Sequence, residues 1–175
     1  MGRIADLAIA DWRWMIDVNL WGVIHGVTSF LPILRANADG GHLINTASMS
    51  GLVANPNMAT YTAAKMAVVG LTESLAKECV EDGGLVRASV ICPGPVTSNI
   101  KDSLKHRPDG ESGALFDVDA AKDSFMASMR WMDPLEVGDL VVETIRDGRL
   151  YVITHPELWP VVAARFSDIE KAFGQ

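Results

Sequence analysis

Three polar side chains, Ser48, Tyr61 and Lys65, stand at a spacing that could move a proton to or from an oxygen atom of a small molecule. Tyr61 and Lys65, in the stretch YTAAK, are four residues apart and would share one face of a helix. A lysine ammonium about 4 Å from a phenol favours the phenolate by roughly 4 kcal/mol at an effective dielectric of 20. We therefore expect Lys65 to lower the pKa of Tyr61 from its usual value of about 10 toward neutrality.

Ser48, in the stretch INTASMSG, would serve the same oxygen atom in a different way. Its hydroxyl can hydrogen-bond to that oxygen and steady the charge that develops there, while Tyr61 gives or takes the proton. Proton transfer at a carbonyl or alcohol oxygen needs a hydride partner, and hydride chemistry belongs to nicotinamide rather than to a side chain. The three residues together therefore predict a site for interconverting an alcohol and a ketone.

The elements that must position these residues alternate between helix and strand. Apolar positions at helical spacing predict a long helix that begins near Asp11, with a kink at Pro32 because proline cannot donate a hydrogen bond to the carbonyl of Thr28. The predicted order is helix 11–37, strand 42–47, helix 60–80, strand 86–92, polar loop 98–115, helix 133–148, strand 150–154 and helix 158–173. This order is typical of an α/β fold, in which a parallel sheet is joined by helical crossovers.

In an open parallel sheet, ligands bind beyond the carboxyl ends of the strands. Ser48 follows the first predicted strand, and the PGP stretch at 93–95 follows the second. Tyr61 and Lys65 come at the start of the helix between those strands. We therefore expect all of these residues to meet in one crevice.

Length and composition narrow the function classes. A chain of 175 residues with 49% hydrophobic and 21% charged residues predicts one globular domain over 1–175. The net charge of −7 argues against nucleic acid and anionic membrane surfaces as partners. No apolar run approaches the roughly 18 residues of a membrane span.

The cysteines and histidines indicate neither a disulfide framework nor a metal site. Two cysteines, Cys79 and Cys92, favour a reducing, cytoplasmic location. We interpret Cys92 as a packing residue, since no basic side chain is placed to activate it. The four histidines, at 25, 42, 106 and 155, lack metal-ligand spacing.

Four stretches of the chain resemble the short-chain dehydrogenase/reductase family in their residues, order and spacing. They are DVNLWG at 17–22, INTASMSG at 44–51, YTAAK at 61–65 and VICPGPVTSNI at 90–100. The resemblance implies a Rossmann-like doubly wound parallel sheet and an NAD(P)-dependent oxidoreductase acting on a small-molecule secondary alcohol or ketone. It also implies a homodimer or homotetramer formed through the helices over 11–37 and 60–80.

The resemblance assigns a role to each matching residue. Ser48 steadies the substrate oxygen, and Tyr61 is the acid/base. Lys65 lowers the pKa of Tyr61 and, like Tyr61, belongs to the cofactor site, where it bonds the nicotinamide ribose of NAD or NADP. The family's asparagine, here Asn19, holds a helix irregularity and a water of the proton relay. The cofactor contacts that the resemblance implies at the PGP stretch are Pro93, Gly94 and Val96 against nicotinamide, with Thr97 or Ser98 near its carboxamide.

One departure from the family pattern concerns the cofactor's pyrophosphate. The family opens with a strand and a glycine-rich turn that binds pyrophosphate at a helix N-terminus, and further on it carries an Asn-Asn-Ala-Gly stretch. Neither occurs in these 175 residues. We therefore expect an incomplete sheet, without the first βαβαβ half, in a chain that corresponds to the catalytic and C-terminal part of an NAD(P)-binding domain.

Simpler interpretations stand beside the catalytic one. Ser48 could only cap a turn, Asn19 could bond locally within its helix, and the PGP stretch could only end a strand. An apolar set could pack in the core or line a lipophilic substrate pocket; it comprises Phe116, Phe125, Met126, Met129, Trp131 and Met132. The core is the more usual place for such a set.

Two other functions also stay open. The chain could be a truncated, inactive homologue that acts only through subunit association. A serine–lysine hydrolase is the weaker alternative, because Ser48 lacks a nucleophile-elbow pattern and no Asp–His pair completes a triad.

Overall fold

The computed structural model describes residues 1–108 and 113–174. The first half runs through α1 (Ile9–Ile16), a π-helix (Asp17–Trp21), α2 (Gly22–Ala36), β1 (Gly41–Thr46), α3 (Ala59–Glu81) and β2 (Val86–Cys92). The second half contains α4 (Ala120–Asp123), α5 (Pro134–Asp147), β3 (Tyr151–Ile153) and α6 (Trp159–Ala172). Short 3-10 segments lie at Met49–Gly51, Ile100–His106, Phe125–Ser128 and Pro156–Leu158.

The three strands form one parallel sheet in the order β1-β2-β3. β1 and β2 pair from Gly41 opposite Val86 to Thr46 opposite Ile91. β3 adds a shorter ladder on the other side of β2. The predicted α/β class with a parallel, Rossmann-like sheet is confirmed, and three strands in the described part of the chain agree with the expected incomplete sheet.

The core lies where α3 packs against β1 and β2, and α2 lies beside them. Buried apolar side chains there form two clusters. The first contains Ala47, Val68, Val69, Val90 and Cys92, and the second contains Leu75, Cys79, Val86 and Ala88. Full burial of a valine or leucine side chain contributes roughly 1.5–3 kcal/mol, so these clusters fix α3, and with it Tyr61 and Lys65, on the sheet.

Gly51 allows the turn after β1 to lie directly against α3. A Cβ atom at this position would stand 2.8 Å from the Lys65 carbonyl oxygen and 2.9 Å from Cγ2 of Val69. Such contacts are closer than packed atoms tolerate, so a larger residue would push the turn and the helix apart.

The long first helix continues past Pro32, as predicted, and its irregular segment lies nearer its start. α2 continues through Pro32 to Ala36, whereas the departure from α-helical geometry is the π-helix Asp17–Trp21, which contains Asn19. A π-helix carries an extra residue in its turn and is frequent at functional sites.

α5 matches its sequence signals at both ends. The Asp133 side chain accepts a hydrogen bond from the backbone N–H of Leu135, Pro134 occupies the first helical position, and Gly148 ends the helix in a left-handed conformation with φ of 67°. The aspartate pairs with a backbone N–H that the helix start leaves free, the proline has no such N–H, and the glycine adopts the left-handed conformation that ends the helix.

The predicted polar loop 98–115 is partly helical, over Ile100–His106, and its positions 109–112 lie outside the described residues. Arg107 is buried there rather than solvated, and its guanidinium pairs with the fully buried carboxylate of Asp11 at the start of α1. The same carboxylate accepts hydrogen bonds from the backbone N–H groups of Ala8 and Ala114, at 2.9 and 3.0 Å. This ion pair ties the segment after β2 to the first helix.

None of the helices within the described residues is long and apolar enough to cross a membrane. The same residues contain no group of three or more His, Cys, Asp or Glu side chains that could hold a metal ion. Cys79 and Cys92 are buried free thiols, and burial raises the pKa of Cys92 to about 12, which fits a packing role.

Replacement of Asp11 by Asn is expected to lower the free energy of unfolding by about 3 kcal/mol at neutral pH, because buried Arg107 loses this carboxylate. Burial acts to raise the pKa of Asp11, but hydrogen bonds from Arg107, Ala114 and Ala8 outweigh it, so the pKa lies below the usual value. The contribution is therefore complete above a pH of about 4 and is lost as the pH falls through the folded-state pKa. Urea unfolding at a series of pH values measures it.

The control for this variant is Asp82→Asn, which breaks the pair between Arg35 and Asp82, whose side chains are 47% and 55% exposed. That loss should stay below about 1 kcal/mol. Equal losses in the two variants would contradict the role given to the buried pair.

Candidate active site

Ser48 lies two residues beyond β1 and caps the 3-10 turn Met49–Gly51. Its Oγ accepts a hydrogen bond from the Ser50 backbone N–H at 3.2 Å and donates to the Pro93 carbonyl at 3.5 Å. The side chain is only partly buried. Ser48 therefore does cap a turn, and the cap keeps its hydroxyl beside the PGP stretch. Capping and a catalytic role are compatible for this residue.

Tyr61 and Lys65 lie in the first two turns of α3, on the face turned toward the end of β1. Lys65 is 8% exposed, and its ammonium donates a hydrogen bond to the Thr46 carbonyl at 3.0 Å. The same Nζ atom lies 5.5 Å from the centre of the Tyr61 ring. The structure thus brings together the tyrosine, the lysine and the strand end that the spacing predicted.

The expected lowering of the Tyr61 pKa is wrong for this structure. Burial raises the pKa of Tyr61 above its usual value, and a hydrogen bond with Ser48 offsets only part of that rise. Burial also lowers the pKa of Lys65. The spacing argument counted the attraction between phenolate and ammonium, but it omitted the desolvation that both groups undergo in the interior.

Asn19 lies in the π-helix, which packs against α3. Its side-chain N–H group donates to the Met15 carbonyl at 3.2 Å and contacts the Met15 sulfur at 3.1 Å. The expected helix irregularity is present at this residue. The amide of Asn19 is used locally, and no hydrogen bond within the described residues joins it to Tyr61 or Lys65.

The turn Pro93–Thr97 follows β2 and lies beside Ser48. The Pro93 carbonyl accepts a hydrogen bond from the Met49 N–H at 2.8 Å, the Pro95 carbonyl accepts one from the Met132 N–H at 3.1 Å, and the Thr97 N–H donates to the Met132 carbonyl at 3.1 Å. Val96 and Met132 form an isolated parallel bridge. Pro93 is therefore fixed next to Ser48, and Val96 and Thr97 are fixed against Met132, while the Ser98 hydroxyl caps the backbone of Ile100.

Two residues that support this turn from the end of β3 were not identified from the sequence. Thr154 and His155, both 1% exposed, follow β3 directly, and the Gly94 N–H donates to the Thr154 hydroxyl at 3.0 Å. The signal was available in the stretch YVITHPE, where polar residues follow a short apolar strand. The rule that ligand sites gather beyond strand ends applies to this strand as well.

The apolar residues between 116 and 132 differ in their burial. Met132 is buried, whereas Phe116 and Phe125 are 52% and 55% exposed, so the core interpretation is wrong for these two rings. An open pocket of about 390 Å³ is lined by Met132 and Thr154 together with Arg130, Glu136 and Pro156. Ser48, Tyr61 and Lys65 do not line it, so its size alone does not mark the chemical site.

Lys65 offers the clearest fit to a bound cofactor. An ammonium has three N–H donors, and in the described part of the chain Nζ hydrogen-bonds to the Thr46 carbonyl alone. A buried cation with donors to spare is suited to hold ligand hydroxyls, such as those of a ribose. Tyr61 and the turn Pro93–Thr97 lie around the same strand ends.

Ultraviolet difference titration should separate the two tyrosines of the chain, Tyr61 and Tyr151. Burial raises the pKa of Tyr61, so in a Tyr151→Phe variant the remaining phenol should ionise above a pH of about 10. Adding Ser48→Ala should move the midpoint higher still, because the Ser48 hydrogen bond lowers the Tyr61 pKa. A midpoint near neutral pH would restore the original expectation for Lys65 and contradict this assignment.

Comparisons with known proteins agree with this geometry. The sequence model of the short chain dehydrogenases (adh_short) matches residues 1–109. The oxidoreductase UcpA of Escherichia coli K12 is 32% identical over 152 residues, which are 87% of this chain and 56% of that protein. The CLA biosynthesis dehydrogenase/reductase of Lactiplantibacillus plantarum is 29% identical over 176 residues, or 96% of this chain and 61% of that protein.

The solved structures give the same answer. A short-chain dehydrogenase/reductase from Burkholderia phymatum, in complex with NAD, superposes with a TM-score of 0.83 at 34% identity, over 98% of this chain and 63% of that one. The chain spans less than two thirds of the length of each of these relatives. With a family match over 109 of its 175 residues, this chain belongs to the short-chain dehydrogenase/reductase family.

Proposed function

We propose that this chain is the catalytic part of an NAD(P)-dependent oxidoreductase that interconverts a secondary alcohol and a ketone. The observation that carries the proposal is the cluster of Ser48, Tyr61 and Lys65 beyond β1, with Lys65 buried and its Nζ 5.5 Å from the Tyr61 ring. A buried lysine is costly unless its charge is used. A phenol and a hydroxyl beside it supply the groups that a carbonyl oxygen needs.

In this proposal the residues divide the work at the substrate oxygen. The Ser48 hydroxyl donates a hydrogen bond to that oxygen. Tyr61 gives it a proton when a ketone is reduced and takes the proton when an alcohol is oxidised. Asn19, in the π-helix against α3, supports the proton relay through the backbone geometry of that helix.

The raised pKa of Tyr61 has opposite consequences for the two directions. Reduction needs the neutral phenol, which a raised pKa preserves over a wider pH range. Oxidation needs the phenolate, so it should become faster as the pH rises toward the pKa of Tyr61. Lys65 favours the phenolate by its charge, while burial opposes it.

NAD or NADP is the proposed cofactor, and the nicotinamide supplies or accepts the hydride when it is bound. Lys65 and Tyr61 would contact its ribose, and the turn from Pro93 to Thr97 with Ser98 would lie against the ring and its carboxamide. The NAD complex of the B. phymatum relative supports this choice. The residues that distinguish NAD from NADP belong to the nucleotide-binding half of the family's fold.

The test joins this chain to the nucleotide-binding half of a full-length family member and measures cofactor-dependent turnover of secondary alcohols and ketones. Tyr61→Phe should lower kcat by on the order of 10²–10⁴-fold, because the proton donor and acceptor is lost. Tyr151→Phe is the matched control, since it removes the only other phenol of the chain, and it should keep most of the activity.

Cofactor binding is measured in the same proteins by NADH fluorescence. A joined protein that binds the cofactor and turns over no alcohol or ketone would favour the alternative of an inactive homologue. Near-normal kcat in Tyr61→Phe would exclude Tyr61 as the acid/base.

We also infer a homo-oligomer, and the support is an exposed apolar surface on the π-helix and α2. Val18, Trp21, Phe30 and Ile33 are 48–62% exposed there, and monomeric proteins rarely leave large apolar surfaces open. Sedimentation velocity should give a dimer or tetramer, and Trp21→Arg should shift it toward monomer. An unchanged sedimentation coefficient in that variant would place the interface elsewhere.

A further inference from the structure

The turn Pro93–Thr97 is supported on its inner side by two buried residues that follow β3. The Gly94 N–H donates to the Thr154 hydroxyl at 3.0 Å, and that hydroxyl lies 2.7 Å from Nδ1 of His155. Nε2 of His155 lies 2.9 Å from the Arg130 carbonyl. Thr154 and His155 are each 1% exposed, so water does not replace these bonds.

These hydrogen bonds form a series from Gly94 to the Arg130 carbonyl, and the groups at its two ends decide which atom donates in each bond. The Arg130 carbonyl can only accept, so Nε2 of His155 carries its hydrogen, and in the neutral ring Nδ1 is then an acceptor. The Thr154 hydroxyl must donate to Nδ1, which leaves its lone pairs to accept from Gly94. One arrangement therefore satisfies all the groups.

Packing limits the turn as closely as the hydrogen bonds do. A Cβ atom on Gly94 would stand 2.5 Å from Nδ1 and 2.6 Å from Cγ of His155, so the imidazole fills the space behind the glycine. The Arg130 guanidinium also donates to the Thr154 carbonyl at 2.7 Å. The backbone of Gly94 therefore cannot retreat from the strand ends without displacing a buried ring.

We propose that Thr154 and His155 are positioning residues. They hold the turn Pro93–Thr97 in the position beyond the strand ends where it contacts the nicotinamide ring. This inference rests on the proposed function, because the contact of the turn with the cofactor is part of it. In this proposal the two residues, each 1% exposed, act through the Gly94 backbone rather than by contact with substrate or cofactor. Their effect should therefore fall on cofactor affinity, while the acid/base work of Tyr61 keeps its pH dependence.

The experiment compares the wild-type chain with Thr154→Val and Thr154→Ser by amide hydrogen exchange and by ¹H–¹⁵N spectra. Thr154→Val keeps the shape and removes the hydroxyl, so exchange at the Gly94 amide should rise about tenfold beyond any change in global stability measured in urea. Thr154→Ser keeps the hydroxyl and should stay within about threefold of wild type.

Binding is followed in the protein joined to a nucleotide-binding half, by adding NAD⁺, or nicotinamide mononucleotide at millimolar concentration, and observing the Gly94 and Val96 amides. The dissociation constant should rise about fivefold or more in Thr154→Val and recover in Thr154→Ser. Unchanged Gly94 exchange or unchanged binding in Thr154→Val would overturn the inference, as would equal losses in both variants. If the Gly94, Val96 and Thr97 amides of the joined wild-type protein do not respond to either ligand, the cofactor assignment itself fails, and the inference falls with it.

A measurement on the wild-type chain needs no variant. Long-range ¹H–¹⁵N spectra of His155 should show a hydrogen on Nε2 and a lone pair on Nδ1. The opposite tautomer would break the chain of hydrogen bonds at Thr154 and overturn the inference.

Discussion

The site depends on the pairing of β1 with β2, which continues past the end of β1. The Ala47 N–H donates to the Ile91 carbonyl and the Met49 N–H to the Pro93 carbonyl, each at 2.8 Å, so the two backbones stay in register as far as the candidate site residue Ser48. Side chains alternate along an extended segment. The register therefore decides that Ser48 faces the turn Pro93–Thr97 and that Ala47 faces the core. A shift by one residue would bury the hydroxyl and expose the methyl group.

Burial of Lys65 is the second constraint, and it explains why the site sits at a strand end. An ammonium removed from water needs an oxygen partner, and the last carbonyl of β1, that of Thr46, supplies one at 3.0 Å. The same burial raises the pKa of Tyr61 and lowers that of Lys65. Burial therefore disfavours the charged form of both groups.

Sequence patterns predicted the parts of this fold that local chemistry decides. The strand ends at Ser48 and at the PGP turn, the shared face of Tyr61 and Lys65, and the caps of α5 all follow from spacing, propensity and turn residues. The patterns failed where distant segments meet. The burial of Arg107 against Asp11 joins residues far apart in the chain, and the sequence near each gives no sign of the other. The direction of the Tyr61 pKa required the depth of burial, which periodicity does not measure.

The close packing at Gly51 has a consequence for substitutions at that position. This glycine carries no functional group, yet its hydrogen atom faces the Lys65 carbonyl across a space too small for a methyl group. A single added carbon would separate the turn bearing Ser48 from the helix bearing Tyr61, leaving each residue intact but out of reach of the other. In a complete scan of substitutions, this position should therefore be as intolerant as Tyr61, the proposed acid/base, and for a purely geometric reason.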